Sequence, residues 1–183
     1  MKKKYRLLFY IPALDGHLID DIISIVTKPW NWLSPRASHV EVWLPDANEQ
    51  FSIRWMDGHY EIWGTCLTST MRGEDNGTVM RPASKVLKNP DRWFYYKFEC
   101  EERDFGMAMD WADMACANNK GYGKRTLLKF IGINWADKLR NICSQVAHKW
   151  CVLCENMEQP PKTPSPRRLA KWCEKLGKER KML

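Results

Sequence analysis

Hydrophobic residues in the first hundred or so positions form short runs separated by turn signals, a pattern that is typical of β-strands. A first strand is predicted over residues 5–11. A second strand, which carries His39, is predicted to continue over residues 40–44, and the turn signal Pro-Asp-Ala-Asn after it leads into residues 50–55. These two segments are therefore expected to pair as a hairpin. A further strand is predicted over residues 93–99.

Apolar residues recur at helical spacing in four segments, which we predict to be helices: residues 16–27, 104–118, 142–154 and 167–175. Ser165 and Pro166 precede the last of them, and this pair of capping residue and proline is typical of a helix start. Gly177 follows as the stop signal of that helix. The residues after it are expected to be frayed.

This order of elements predicts an α+β fold, with an antiparallel sheet or a small barrel packed against helices. At 183 residues the chain is long enough to bury a core and short enough to be one domain. We expect a single domain over residues 1–176 and a basic C-terminal tail over residues 177–183. Most of the ten tryptophans are expected in the core or in cleft walls.

The chain is basic, with a formal net charge of +7 and a sequence pI of about 9.0. Basic residues gather at both ends of the sequence, at residues 2–4 and between residues 167 and 181. Such clusters most often serve solubility. No stacking aromatic residues are interleaved with them, as a binder of single-stranded nucleic acid requires. A nucleic-acid partner therefore stays open without being favoured.

Seven cysteines are an odd number, and their spacing does not form the dense framework of a small secreted disulfide protein. The apolar run at residues 7–11 is too short for a signal sequence. No stretch approaches the length of a membrane span. We therefore expect a cytoplasmic protein with free thiols and no transmembrane segment.

Two short segments far apart in the sequence carry candidate catalytic chemistry. Cys143 falls in the first turn of a predicted helix, and His39 and Glu41 project from one face of a predicted strand. A thiol at a helix N-terminus beside an imidazole forms a thiolate near neutral pH. We predict Cys143 as the nucleophile and His39 as the general base and then acid. Glu41 is predicted to orient the imidazole.

Two other residues are alternative partners of the imidazole. Gln50 and Ser52 lie on the strand that is predicted to pair with the His39 strand. Cross-strand neighbours reach each other more readily than residues two positions apart on one strand. The backbone N–H of Cys143, assisted by a nearby polar donor, is predicted to stabilise the oxyanion of an acyl intermediate.

Simpler interpretations of the same residues stay open. A cysteine on an amphipathic helix is more often a small core residue than a nucleophile, and a histidine on a strand is usually structural. Cys143, His148, Cys151 and Cys154 together offer four ligands for zinc. Helical spacing, however, places the three cysteines on one buried stripe and His148 away from it. We therefore predict neither a metal nor a cofactor.

Several short motifs follow one another along most of the chain: Gly16-His17-Leu18-Ile19-Asp20, Ser38-His39-Val40-Glu41, Thr68-Ser69-Thr70, Asn76-Gly77-Thr78-Val79, Gly121-Tyr122, Cys143-Ser144-Gln145 and Pro164-Ser165-Pro166. Their content and order resemble the circularly permuted NlpC/P60 group of papain-like cysteine amidases and peptidases (the YiiX/YaeF-like proteins). That group is distantly akin to lecithin:retinol acyltransferase. Compact members without a signal sequence are often encoded by phages or prophages.

The resemblance implies a permuted papain-like fold and a thiol-dependent amide hydrolase. The substrate would be a peptide or another small acyl-containing compound, which reacts through a Cys143 acyl-enzyme. The resemblance also implies the same roles for His39 and Glu41 as those given above. Three positions depart from the family pattern: Thr78 interrupts a Gly-Val step, Gly123 stands where an aspartate is frequent, and Gln145 replaces a glutamate.

Three other classes of function are compatible with the sequence: a catalytically inactive binding module of the same fold, a basic protein associated with nucleic acid, and a lipid acyltransferase or thioesterase. Binding to nucleic acid should weaken steeply as salt increases, whereas reactivity of the Cys143 thiol should not. A lipid acyltransferase should carry an apolar docking surface or an anchor. The resemblance favours amide hydrolysis, which is the function that we expect.

Overall fold

The computed structural model describes residues 1–12, 37–46, 51–57, 59–70, 76–119, 121–122, 142–155 and 165–183. These residues form an α+β structure in which a six-stranded antiparallel sheet packs against helices. A separate two-stranded hairpin accompanies this main sheet. The α+β class expected from the sequence is therefore confirmed.

Eight β-strands lie in the described part of the chain. They are β1 (Lys2–Tyr10), β2 (His39–Leu44), β3 (Ile53–Met56), β4 (His59–Ile62), β5 (Thr65–Thr70), β6 (Gly77–Pro82), β7 (Trp93–Glu101) and β8 (Lys181–Met182). Aromatic residues are frequent in β7, and buried and exposed residues alternate toward its end. This alternation is expected of a strand with one face in the core and one face in water.

The helices of the described residues are α1 (Ala83–Val86), α2 (Glu102–Ala117), α3 (Cys143–Glu155) and α4 (Pro166–Lys175), with a short 3-10 turn at Pro90–Arg92. The predicted helices over residues 104–118, 142–154 and 167–175 are confirmed as α2, α3 and α4. The helix predicted over residues 16–27 lies outside the described residues. No helix among those described is both long enough and apolar enough to cross a membrane.

The start and the end of α4 match their sequence signals. The Ser165 hydroxyl caps the helix by accepting a hydrogen bond from the Arg168 N–H at 3.3 Å. Pro166 occupies the first turn, where its missing N–H costs nothing. Gly177 follows with a positive φ of 71°, the conformation in which many helices end.

The main sheet has the strand order β6-β5-β2-β1-β7-β8. β1 lies inside the sheet and pairs with β2 on one side and with β7 on the other, where its whole length is in register. The two edge strands are β6 and β8. The sheet is therefore open over the described residues. Of the two predicted alternatives, these residues form the antiparallel sheet and not the small barrel.

Burial of both faces of β2 connects the sheet to α3. All six residues of β2 are buried. Val40 and Val42 belong to a large hydrophobic cluster that also contains Trp150 of α3. Trp43 belongs to a smaller cluster with Trp93. Because successive side chains point to opposite faces, β2 supplies both clusters, and α3 packs against one of its faces.

The hairpin predicted between residues 40–44 and 50–55 is wrong. β2 pairs with β1 and β5, whereas β3 pairs with β4 and places Trp55 opposite Tyr60. The reason is burial. A strand that is covered on both faces needs neighbours that continue the core, and five of the six residues of β5 are buried. The local turn signal after β2 does not outweigh this requirement.

The end of the chain is part of the main sheet. The expectation that these residues are frayed is therefore wrong. Lys181 and Met182 pair with Tyr95 and Phe94 of β7. The N–H of Leu183 donates to the carbonyl of Trp93 at 3.1 Å, and its side chain packs against the smaller cluster. A strand of two residues is too short to have a recognisable sequence pattern. β8 forms because it pairs with β7. The division of the chain at residue 176 stays a prediction.

A hydrogen-bonded junction joins the start of β6 to the chain that follows α2. The Asn119 amide donates to the Asn76 carbonyl at 2.8 Å and accepts from the Gly121 N–H at 3.0 Å. The Asn76 side chain accepts from the Tyr122 N–H at 3.0 Å. Gly77 has a φ of 110°, and a Cβ there would overlap the Asn119 side chain. The motif that begins at Asn76 and the Gly121-Tyr122 motif are thus held together by hydrogen bonds.

Candidate active site

His39 and Glu41 lie at the start of β2, inside the main sheet. β1 holds them in register, with Tyr10 opposite His39 and Leu8 opposite Glu41. His39 is 7% exposed and Glu41 is 0% exposed. The His39 ring also meets the Trp93 ring edge-on, with centroids 6.4 Å apart. Both polar side chains are therefore held in a packed setting from which water is largely excluded.

Cys143 is the first residue of α3 and is 3% exposed. Ile142 precedes it as the capping residue, and its carbonyl accepts from the Val146 N–H at 3.2 Å. The Gln145 side chain reaches back and accepts from the Ile142 N–H at 2.9 Å. This contact is one half of a capping box. It secures the first turn and places the thiol at the positive end of the helix dipole.

The fold brings Cys143 and His39 together. A hydrogen bond joins the thiol to the imidazole, and the backbone N–H of Val40 also donates to the sulfur. Nε2 of His39 lies 2.9 Å from Oε1 of Glu41. Because the carboxylate engages Nε2, Nδ1 is the ring nitrogen that remains for the thiol. The three residues predicted from the sequence thus form one chain of contacts.

Cys143 and His39 change each other's ionisation. Burial by itself lowers the pKa of His39, but Cys143 and Glu41 outweigh it and raise this pKa to about 9. Burial raises the pKa of Cys143, but the His39 imidazolium and the Val40 N–H outweigh that and lower it, while Glu41 acts weakly in the opposite sense. Both shifts favour the same form of the pair, the thiolate beside the imidazolium.

Two further residues contact the site that were not identified as site residues from the sequence. Thr68 of β5 donates to the Val40 carbonyl at 3.1 Å, and its hydroxyl lies 3.4 Å from Nε2 of His39. Arg81 of β6 donates from Nη2 to Oε1 of Glu41 at 3.3 Å. The hydroxyl-rich run that begins at Thr68 was a usable signal. The sequence around Arg81 contains none.

The alternative partners of the imidazole have different outcomes. Gln50 lies outside the described residues. Ser52 precedes β3, and its carbonyl accepts from the Trp63 N–H at 3.1 Å. The strand that pairs with β2 on that side is β5, which carries Thr68. The prediction that Ser52 is a cross-strand partner of His39 is therefore wrong. Thr68 is the residue on the paired strand that lies beside the imidazole.

All seven cysteines are free thiols. Burial raises the pKa of Cys66 and of Cys173 well above the usual value. Burial and the nearby Asp113 also raise the pKa of Cys116, which is half-buried. Of these four thiols, Cys143 is the one whose pKa is lowered. Ionisation therefore distinguishes Cys143 from Cys66, Cys116 and Cys173.

The zinc ligands considered from the sequence do not converge. Cys143 is engaged by His39, whereas the His148 ring packs edge-on against Trp172 with centroids 6.3 Å apart. Within the described ranges, no group of three His, Cys, Asp or Glu side chains is arranged to hold a metal ion.

Comparisons with known proteins give no match to this chain, whether with family models, with curated proteins or with solved structures. The resemblance to the permuted NlpC/P60 group therefore stays a prediction.

Proposed function

We propose that this protein is a thiol-dependent amide hydrolase in which Cys143 is the nucleophile and His39 is the general base. One observation carries the proposal: a buried thiol with a lowered pKa is hydrogen-bonded to a buried imidazole with a raised pKa. Burial alone drives both values the other way, so the two charges must stabilise each other. Perturbed ionisation of this kind is concentrated at catalytic sites.

In the first half of the reaction, the Cys143 thiolate attacks the carbonyl carbon of an amide, and the carbonyl oxygen becomes an oxyanion. Backbone N–H groups in the first turn of α3 supply donors and a positive helix end for that charge. The His39 imidazolium then gives its proton to the amide nitrogen, and the carbon–nitrogen bond breaks. The amine leaves, and a Cys143 thioester remains.

In the second half, the neutral imidazole of His39 takes a proton from water while the water oxygen attacks the thioester carbon. The tetrahedral species expels Cys143 as a thiolate and releases a carboxylic acid. His39 keeps the proton, so the starting ion pair is restored. Glu41 accepts from Nε2 throughout and thereby keeps Nδ1 directed at the sulfur.

We also propose that the chain has a permuted papain-like arrangement. In its support, the histidine precedes the cysteine in sequence, an open antiparallel sheet carries His39, and a helix begins at Cys143. The substrate in this case is a peptide, an isopeptide or another small acyl compound. The free thiols support a reducing, cytoplasmic setting.

Acylation by an activated ester tests the proposed chemistry. We expect p-nitrophenyl acetate to transfer its acetyl group to Cys143, measured by peptide mass spectrometry, with a burst of nitrophenolate. His39→Ala should slow acetylation of Cys143 by about a hundredfold or more, because general-base activation is lost. His59→Ala removes an exposed histidine of β4 and is the matched control, which should react like the wild type.

Two results would argue against the proposal. One is acetyl groups spread over several cysteines according to their exposure, and Cys116→Ala measures the share of that half-buried thiol. The other is acetylation of Cys143 at a rate that does not depend on His39. A stable acetyl group on Cys143 that water does not remove would contradict the hydrolytic half of the proposed reaction.

A further inference from the structure

Arg81 makes a second charged contact to Glu41. It lies on β6 opposite Cys66 of β5, and its Nη2 donates to Oε1 of Glu41 at 3.3 Å. Nε2 of His39 meets the same oxygen at 2.9 Å. Four ionisable side chains therefore follow one another with alternating charge, from Arg81 through Glu41 and His39 to Cys143.

The guanidinium reaches across a whole strand to make this contact, because β5 lies between β6 and β2. The intervening Cys66 is close to both charges: burial raises its pKa, Glu41 raises it further and Arg81 lowers it. Arg81 is 19% exposed and Glu41 is 0% exposed. A carboxylate so far from water is costly unless cations and hydrogen bonds compensate it. Arg81 supplies both.

We propose that Arg81 is a positioning residue, which holds the Glu41 carboxylate so that Glu41 in turn directs the His39 imidazole at Cys143. This inference rests on the proposed function, because it concerns the same Cys143–His39 pair. Arg81 does not touch the reacting atoms and acts through Glu41. The planar, forked donors of a guanidinium fix the orientation of a carboxylate, which an apolar side chain of similar length does not do.

Arg81→Met tests this role, with the rate of Cys143 alkylation by iodoacetamide at neutral pH as the first readout. Without the guanidinium, the carboxylate can turn away from the imidazole, and fewer molecules hold the thiolate–imidazolium pair. We expect the rate to fall by about tenfold. Arg81→Lys keeps a cation and should retain most of the rate.

The matched control is Arg54→Met. Arg54 is exposed on the separate β3–β4 hairpin, where its guanidinium lies 5.9 Å from the centre of the Trp63 ring. The same substitution at this position should leave the alkylation rate of Cys143 unchanged.

A spectroscopic readout separates positioning from a general loss of structure. The His39 Nε2 proton, held by Glu41, should give a downfield imidazole signal in ¹H–¹⁵N NMR spectra. Arg81→Met should shift or broaden this signal while the amide signals of the sheet are preserved. In a Glu41→Gln background, adding Arg81→Met should have no further effect on alkylation, because the residue through which Arg81 acts is already changed.

The inference is overturned if Cys143 of folded Arg81→Met is alkylated at a rate within about twofold of the wild type. It is also overturned if Arg81→Met lowers the alkylation rate equally in the wild-type and the Glu41→Gln backgrounds. If Arg81→Met alone does not fold, the comparison of Glu41→Gln with the double variant decides, since neither leaves a lone buried carboxylate. Failure of the proposed function has another signature. Cys143 of the wild type would then react no faster than in His39→Ala, whatever stands at position 81.

Discussion

Two influences oppose each other at the Cys143 sulfur. Burial favours the neutral thiol, whereas the His39 imidazolium and the Val40 N–H favour the thiolate and prevail. At His39, burial favours the neutral ring, but the thiolate and Glu41 raise the pKa from an ordinary 6.5 to about 9. The ion pair therefore extends from the lowered pKa of Cys143 up to about pH 9, and it is lost as His39 deprotonates above that pH.

Removal of the thiol is expected to lower the pKa of His39. In Cys143→Ala, burial continues to disfavour the imidazolium while the largest stabilising charge is gone, so the pKa should fall well below 9. An NMR titration of the imidazole ring protons measures this change, and the exposed His59 provides a reference signal in the same spectra. A midpoint that stays near 9 in the variant would mean that Cys143 does not stabilise the imidazolium.

At the scale of elements, the sequence allowed three helices to be predicted because each carries an apolar stripe with recognisable ends. The shared face of His39 and Glu41 follows from strand alternation alone. The pairing of β2 could not be predicted, because a turn signal is local whereas burial of both faces selects partners from the whole chain. Thr68 and Arg81 were missed for the same reason, as their contacts span 29 and 40 positions.

The junction between the start of β6 and the chain that follows α2 gives a prediction for stability. Gly77→Ala forces a side chain into a positive-φ position and against Asn119, so it should cost about 2 kcal/mol or more in the free energy of unfolding. Gly106→Ala is the matched control, because a Cβ there meets nothing within 4 Å. In the interior of α2, it should stabilise by about 0.5–1 kcal/mol.

Chemical denaturation measures both glycine variants. Equal unfolding free energies for Gly77→Ala and the wild type would show that the start of β6 has room for a side chain. In that case the hydrogen bonds between Asn76 and Asn119 would not depend on glycine at position 77.

At the scale of the whole molecule, the site is a product of the complete fold. β2 contributes His39 and Glu41, β5 contributes Thr68, β6 contributes Arg81 and α3 contributes Cys143. These elements come from distant parts of the chain, and the main sheet together with the helix packed on it brings them together. The shifted pKa values should therefore disappear on denaturation, because each side chain then returns to water and loses its partner.

Ionisation of the Cys143 thiol as a function of pH is the most direct test of the thiolate–imidazolium pair. Ultraviolet absorbance of the thiolate, taken as the difference between the protein and Cys143→Ala, cancels the other six thiols. It also requires no reagent to reach a side chain that is only 3% exposed. A real pair predicts a midpoint clearly below the free value of about 8.5, raised by His39→Ala and by denaturation. A native midpoint at or above about 8.5, or one that His39→Ala leaves unchanged, would contradict the pair and with it the proposed chemistry.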